Sequence, residues 1–544
     1  MNKTCHCWAF EAGSIQGYLH ETGRLVDAVG ASQLIDKLCG TLGAPQPGDD
    51  LLSLVLEAAG IASRDVSFSR RGGGSFIAFF GSGEARERAR RLWTLALQEN
   101  APGLRWSEGL AEHESHQEAA RLALERSKVA GNFDAPRLPE AGPGVARVPR
   151  TGLAAVELRR FGPRGEELLD AATVARRRHA RGNSLTQKFS PDRELVWPRN
   201  MERDEDAEGD AASFPFLGDD REVAFLHADG NGLGVLLRRL ADAGRERPGA
   251  YVQHYAAFSR AVTLATEHAA QAATRAVLLP ATGASRVVPA RSLVLGGDDL
   301  SLIVRADLAL PFAQAFLEAF ERHSREELKR LPAELRLGQG LTAACGLVFV
   351  KASHPFMAAA ALAEDLCKQA KDEIKREARE RGRDMPLSAV ALHRVTTALA
   401  DEAEGPGMHW QGRMVRAGLP AYVLGESRTT LPRLPDLQAL AAALGSAAAA
   451  RGPARRMLTQ MHQEPFVARR TYARWRQMLR DDPAGEGRQQ LQRLDEALQR
   501  LGVPPASELP LVPHGEGAFA TPWPDALLLR DLLATPQGPA GEGA

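Results

Sequence analysis

Apolar runs of strand length recur in the middle of the chain. They are Val223 to His227 in REVAFLHADGNGLGVLL, the two arms of LVLGGDDLSLIV from Leu293 to Val304, and LTAACGLVFV from Leu341 to Val350. Short apolar runs bounded by glycine and other turn residues predict buried strands. Between them the period changes to that of a helix, over Tyr251 to Val277 and in PFAQAFLEAFERHSREEL from Pro311. The predicted order is β, α, β, β, α, β. This is a ferredoxin-like arrangement, in which the end of the first strand lies beside the hairpin between the second and third. A long helix is predicted over Pro355 to Arg383, with Ser353 as its cap and Pro355 in its first turn. From Pro386 to Leu533 the pattern is mainly helical, broken by proline and glycine, and the tail TPQGPAGEGA has a disordered composition.

The same pattern occurs nearer the N-terminus. CWAFEAGSIQGYL echoes VAFLHADGNGLGVLL, and RRGGGSFIAFF echoes LVLGGDDLSLIV at a similar spacing. In this first copy Gly74 and Ser75 stand where Asp298 and Asp299 stand in the second, and Ala12 lies near the Asp229 position. The first copy therefore reads as the same hairpin without the carboxylates. Chance likeness between two glycine hairpins is the competing reading.

Composition changes the picture in three ways. At 544 residues the chain exceeds what one core serves, so several domains are expected. Lys+Arg and Asp+Glu both count 68, so no global field draws the protein to nucleic acid or membrane, and any anion-binding surface must be local. The five cysteines, Cys5, Cys7, Cys39, Cys345 and Cys367, form no CxxC pair or disulfide framework. With no signal peptide and no apolar run of membrane length, a reducing, cytoplasmic setting is expected. Cys5 and Cys7 read as a frayed terminus more simply than as metal ligands. Arg176, Arg177, Arg178 and Arg181 in ARRRHAR read as an exposed helix face more simply than as a phosphate site, and the acidic run Glu202 to Asp210 reads as a solvated loop.

The adjacent Asp298 and Asp299 raise the chemical question, because like charges between two buried arms are unfavourable. Hairpin punctuation is one reading of GGDD. The other is a site for hard cations, Mg²⁺ or Mn²⁺, which carboxylate oxygens suit. Asp229, at the end of the first strand, supplies a third carboxylate, so the trio converges on one or two ions.

ADGNGLG paired with LGGDDL, followed by CGLVFVKASHPF and LAEDLCKQAK, resembles the polymerase-like large subunit of type III CRISPR effector complexes. More distantly it resembles GGDEF-type diguanylate cyclases and class III nucleotidyl cyclases. FEAGSIQGYLHETGRLVDAVGASQLIDKL with RRGGGSFIAFF is similar to the inactive first palm of that subunit. The resemblance covers Cys7 to Leu97 and Glu222 to Arg383. It implies an α+β protein with two ferredoxin-like palm domains and a C-terminal helical domain. The expected divisions are a degenerate first palm over 1–135, a linker or remnant insert over 136–215, a GGDD palm over 216–385, a helical domain over 386–533 and a disordered tail over 534–544.

The activity implied is joining ATP, alone or with other nucleotides, into cyclic or short oligonucleotide messengers for antiviral defence. Asp229, Asp298 and Asp299 would be the catalytic metal ligands for two Mg²⁺ or Mn²⁺ ions. Gly230, Asn231, Gly232, Gly296 and Gly297 would lie against the nucleotide. Lys371 would neutralise triphosphate, a role that competes with its reading as one cation on a mixed-charge helix. The implied partners are nucleotide substrates, a downstream effector of the signal, and protein or RNA contacts of the C-terminal domain; no membrane is implied. The sequence departs from the family at Asn231, where relatives often have a second Asp. VPRTGLAAV lacks the cysteines of a zinc-binding insert, and no HD-type nuclease segment is seen. These departures fit a streamlined defence synthase. A non-catalytic palm-pair scaffold of a defence ribonucleoprotein is the competing class, and a template-dependent polymerase is weaker because no strongly basic groove is evident.

Overall fold

The N-terminal apolar runs pair into one antiparallel sheet. β1 (Cys5–Gly13) lies between β3 (Ser75–Phe80) and β4 (Arg105–His113), with β2 (Val66–Gly72) outside β3. Strand alternation sends Trp8, Phe10, Phe76 and Phe80 to one face and Cys5, Cys7, Ala9, Ile77 and Phe79 to the other. The first face is covered by α1 (Ile15–His20), α2 (Leu25–Cys39), α3 (Leu51–Ala58) and α4 (Gly83–Asn100), and the second by α5 (His116–Ala130). The Asp50 carboxylate accepts the Ser53 N–H at 2.8 Å to start α3, and Ser82 accepts the Ala85 N–H at 3.2 Å to start α4. Cys5 and Cys7 are therefore buried strand residues and not a frayed end. The computed structural model describes residues 4–42, 50–130, 138, 140–160, 165–180, 182–192, 194–198, 213–217, 221–395, 408–425, 429–445, 451–483, 485–515 and 517–533.

A hairpin of β5 (Glu157–Arg160) and β6 (Glu166–Leu169) leads into α6 (Ala171–His179) and α7 (Ser184–Phe189). The arginines of α6 correct the expectation of a solvated face. Arg176 is fully buried, stacked 4.1 Å over the Tyr18 ring and ion-paired with Glu21. Arg177 donates to Asp27 at 2.6 Å and to Glu167 at 2.8 Å. Acidic partners distant in sequence turn a charge run into a docking contact between α6 and α2. Arg178 is exposed, whereas Arg181, the acidic run at 202–210 and the tail at 534–544 lie outside the described residues.

The second sheet comprises β7 (Glu222–Asn231), β8 (Ala290–Gly296), β9 (Asp299–Arg305), β10 (Thr342–Lys351) and two strands beyond them, β11 (Ala389–Arg394) and β14 (Tyr422–Val423), in the order β14-β11-β10-β7-β9-β8. Its β10-β7-β9-β8 portion repeats the order β4-β1-β3-β2 of the first sheet. α8 (Leu233–Glu246) and α9 (Tyr251–Ala273) connect β7 to β8, α10 (Ala306–Lys329) connects β9 to β10, and α11 (Phe356–Glu380) precedes β11. α9 and α10 cover one face. The other is covered by α11 together with Leu25 and Val29 of α2, so the N-terminal unit packs directly on the second sheet. The Ser32 hydroxyl of α2 donates to the Leu293 carbonyl of β8.

The structure differs from the sequence pattern in several places. β7 runs through the glycine-rich stretch to Asn231, because its backbone stays paired with β10 as far as Thr342. α8 was not legible as a separate helix. α11 starts at Phe356 with Pro355 at its N-cap position and no side-chain cap, so Ser353 does not cap it. The segment after Pro386 is mixed and not simply helical: β11 adds parallel to β10, and β12 (Met408–Trp410), β13 (Arg413–Ala417), β15 (Val512–His514) and β16 (Ala518–Thr521) form a further sheet. Strands this short leave no readable period. Its helices are α12 (Leu434–Gly445), α13 (Arg451–Gln463), α14 (Pro465–Arg480), α15 (Glu486–Arg500) and α16 (Trp523–Leu533). Tyr472 and Trp475 of α14 are buried against Trp523. Among the described residues no helix is long and apolar enough to cross a membrane.

Candidate metal and nucleotide site

The pairing of β7 with β9 sets Asp229 opposite Asp299, and the β8–β9 hairpin closes through Gly297 and Asp298 with Gly296 opposite Asp299. Gly297 has φ +61°, which the tight turn requires. Three carboxylates thus meet at one end of the sheet, with ligand oxygens all within 4.8 Å of one another. Gly230 lets them meet, since a Cβ there would lie 2.7 Å from the Asp298 Cβ.

Burial, and then the charge of Asp229, pushes the Asp298 carboxyl up to about 6, while Lys371 and Arg70 draw it down. Burial, followed by the charges of Asp298 and Asp229, holds Asp299 well above the ordinary carboxylate range. Lys371, from α11, is ion-paired with Asp229. Crowded carboxyls that resist ionisation together, offering hard oxygen donors from two strands and a hairpin, fit Mg²⁺ or Mn²⁺.

The other residues expected at the site have varied surroundings. Asn231, two positions beyond Asp229, is buried, with neither side-chain amide atom hydrogen-bonded among the described residues. Gly232 has φ +85° and opens α8, where a Cβ would lie 1.9 Å from the Met385 Cε, so packing alone accounts for it. Gly296 faces the other hairpin, and a Cβ there would lie 3.9 Å from the Gly73 Cα.

Two residues escaped the sequence reading. Thr266, buried in α9, places its hydroxyl 2.6 Å from the Gly297 carbonyl oxygen and so holds the turn from behind. Its signal was a hydroxyl within the apolar stripe of Val262, Ala265, Ala269 and Ala270. Thr266→Val is expected to weaken Mn²⁺ binding about tenfold, a loss of ~1.4 kcal/mol that fits one misplaced hydrogen bond, with Thr266→Ser restoring most of it. Titration of Mn²⁺ into each variant measures this. The second residue is Glu11. It pairs with Ser75 as Asp229 pairs with Asp299, so Glu11 holds the position equivalent to Asp229 and Ala12 does not. A slip of one residue moves a strand side chain to the opposite face.

Residues 222–379 match the family model of the Cas10/Cmr2 second palm domain, and this segment is Cas10-like. No curated protein matches the chain. Among similar solved structures, Csm1 in T. onnurineus shares 12% identity, with 72% of this chain and 53% of that chain covered and a TM-score of 0.39. A Csm1-Csm4 cassette in complex with one ATP shares 14% identity, over 68% of this chain and 54% of that chain, with a TM-score of 0.39. The cassette in complex with cA4 shares 13% identity, over 92% and 69%, with a TM-score of 0.44. The chain thus spans about half the length of the first two.

Proposed function

We propose that the chain is a Cas10-type nucleotidyltransferase, which joins ATP, alone or with another nucleoside triphosphate, into cyclic or short 3′-linked oligonucleotides that signal in antiviral defence. The carrying observation is the convergence of Asp229, Asp298 and Asp299 on one sheet end. In this reading the two sheets of like strand order are two palm domains. The first is degenerate and orients a nucleotide, and the second carries the chemistry.

Asp229, Asp298 and Asp299 would hold two Mg²⁺ or Mn²⁺ ions. When bound, such ions supply charge that acidifies a hydroxyl and stabilises phosphoryl oxygens. The oxygen of one nucleotide's 3′-hydroxyl forms a bond to the α-phosphorus of another. The bond from that phosphorus to the oxygen bridging to the β-phosphate breaks, pyrophosphate leaves, and the hydroxyl proton passes to water. Gly296 and Gly297 leave room for the nucleotide at the hairpin. Lys371, which pairs with Asp229 in this structure, would contact a phosphate if Asp229 held a cation instead. The region after Pro386 serves packing and partner contact, since among the described residues the Asp229, Asp298 and Asp299 group alone clusters as a metal site.

The test is incubation with ATP and Mg²⁺, together with candidate RNA or protein activators. Product masses matching linked adenylates, with stoichiometric pyrophosphate, are expected; ATP returned intact under every condition would contradict the reading. Lys371→Ala is expected to raise the KM for ATP about tenfold, consistent with one lost charge-assisted contact of ~1–2 kcal/mol. Steady-state kinetics measure it.

A further inference from the structure

Arg70 lies just after an irregularity in β2. The pairing with β3 runs Phe68 to Ala78 and then Arg70 to Ile77, which leaves Ser69 as the extra residue of a bulge. Such a bulge turns the following side chain to the other face of the sheet. Phe68 accordingly packs into the core beneath α2 to α4, whereas Arg70 shares the face of Ile77, Glu11 and Ser75. Without the bulge, Arg70 would point into that aromatic core.

The neighbouring arginine is already occupied. Arg71 donates to the Cys39 carbonyl at 2.6 Å and to Asp50 at 2.7 Å. Arg70 is exposed, and its guanidinium makes no hydrogen bond or ion pair among the described residues. Its strand ends in the hairpin turn whose Gly73 meets Gly296 of the second hairpin, where a Cβ on Gly296 would lie 3.9 Å from the Gly73 Cα. On this face of the first sheet a recess is lined by Arg70 with Glu11, Ser75, Leu124 and Ser127.

We propose that Arg70 is a phosphate-binding residue of the nucleotide site, reaching from the first sheet to phosphoryl oxygens of a nucleotide seated at Asp298 and Asp299. This rests on the proposed function and adds the residue through which the degenerate copy serves the other. A guanidinium presents a planar fork of donors suited to phosphoryl oxygens. Lys371 begins tied to Asp229 and must leave it to bind phosphate, whereas Arg70 has no carboxylate to leave. The bulge is then a device that aims a cation at the facing hairpin.

The test compares ATP with adenosine, which lacks phosphate, by calorimetric titration in Mg²⁺ on the full chain. Arg70→Ala should weaken ATP binding at least tenfold and leave adenosine binding unchanged, with Arg70→Lys intermediate. Arg64→Ala, an exposed arginine in the loop before β2, should bind both as the parent does. Arg70→Ala binding ATP like the parent, or losing ATP and adenosine equally, would overturn the role of Arg70. If it retains ATP binding while the Asp298→Ala/Asp299→Ala variant loses it, only the Arg70 proposal fails. A parent that binds no ATP overturns the proposed function and this inference together.

Discussion

Replacing Asp298 and Asp299 together by alanine is expected to reduce product formation by at least about 10³-fold, equivalent to ~4 kcal/mol of lost transition-state stabilisation. The fold should survive, because both residues are part-exposed at a hairpin end and their removal relieves repulsion. The same variant has a pH signature. Both carboxyls are raised above their ordinary values in the folded protein, so their contribution to stability is fully present below the ordinary carboxylate range and is lost as pH rises, for Asp298 through about 6. Without divalent cations the parent should therefore lose ~1–3 kcal/mol of stability between pH 4 and 7.5, and the double variant much less of it. Mg²⁺ should offset the loss in the parent alone, since it binds the ionised carboxylates. Denaturant melts at several pH values, with and without Mg²⁺, check the sign.

The second large effect concerns packing beneath the site. Gly109 in β4 and Gly346 in β10 occupy matching places in the two sheets, each beneath the helix that follows its strand. A Cβ at Gly109 would lie 1.8 Å from the Ala123 carbonyl oxygen, and one at Gly346 would lie 2.1 Å from the Ala363 carbonyl oxygen. Backbone cannot yield as a side-chain tip can, so α5 or α11 must move bodily. Gly346→Ala and Gly109→Ala are each expected to cost ~2–4 kcal/mol, near the upper range for a single overpacking substitution. Gly346→Ala should also depress ATP turnover, because α11 carries Lys371. Gly382, by contrast, has open space at its Cβ position. Urea titration of the two alanine variants gives the comparison; curves superposing on the parent would contradict the close contact.

Much of the central sheet was legible because its strands are punctuated: LVLGGDDLSLIV shows two apolar arms and a turn, and LTAACGLVFV is continuous. That order alone implied that the end of β7 meets the hairpin, as the register of Asp229 with Asp299 shows. Other features depend on contacts that no local pattern carries. AVALHR reads as a fragment until β10 is present to pair with it. Arg176 and Arg177 read as surface until Glu21, Asp27 and Glu167 arrive from elsewhere in the chain. The role of Thr266 depends on a turn 31 residues away. Glu11 and Arg70 were obscured by single-residue shifts, one of register and one of bulge, and alternation makes each decisive.

The proposed role of the carboxylate trio is to hold the ions for nucleotidyl transfer. It is tested most directly by titrating Mn²⁺ in the presence of a non-hydrolysable ATP analogue and counting bound ions by electron paramagnetic resonance. About two ions per parent chain are expected, as two-metal chemistry requires, and none in the Asp298→Ala/Asp299→Ala variant. Equal occupancy in the two proteins would contradict it.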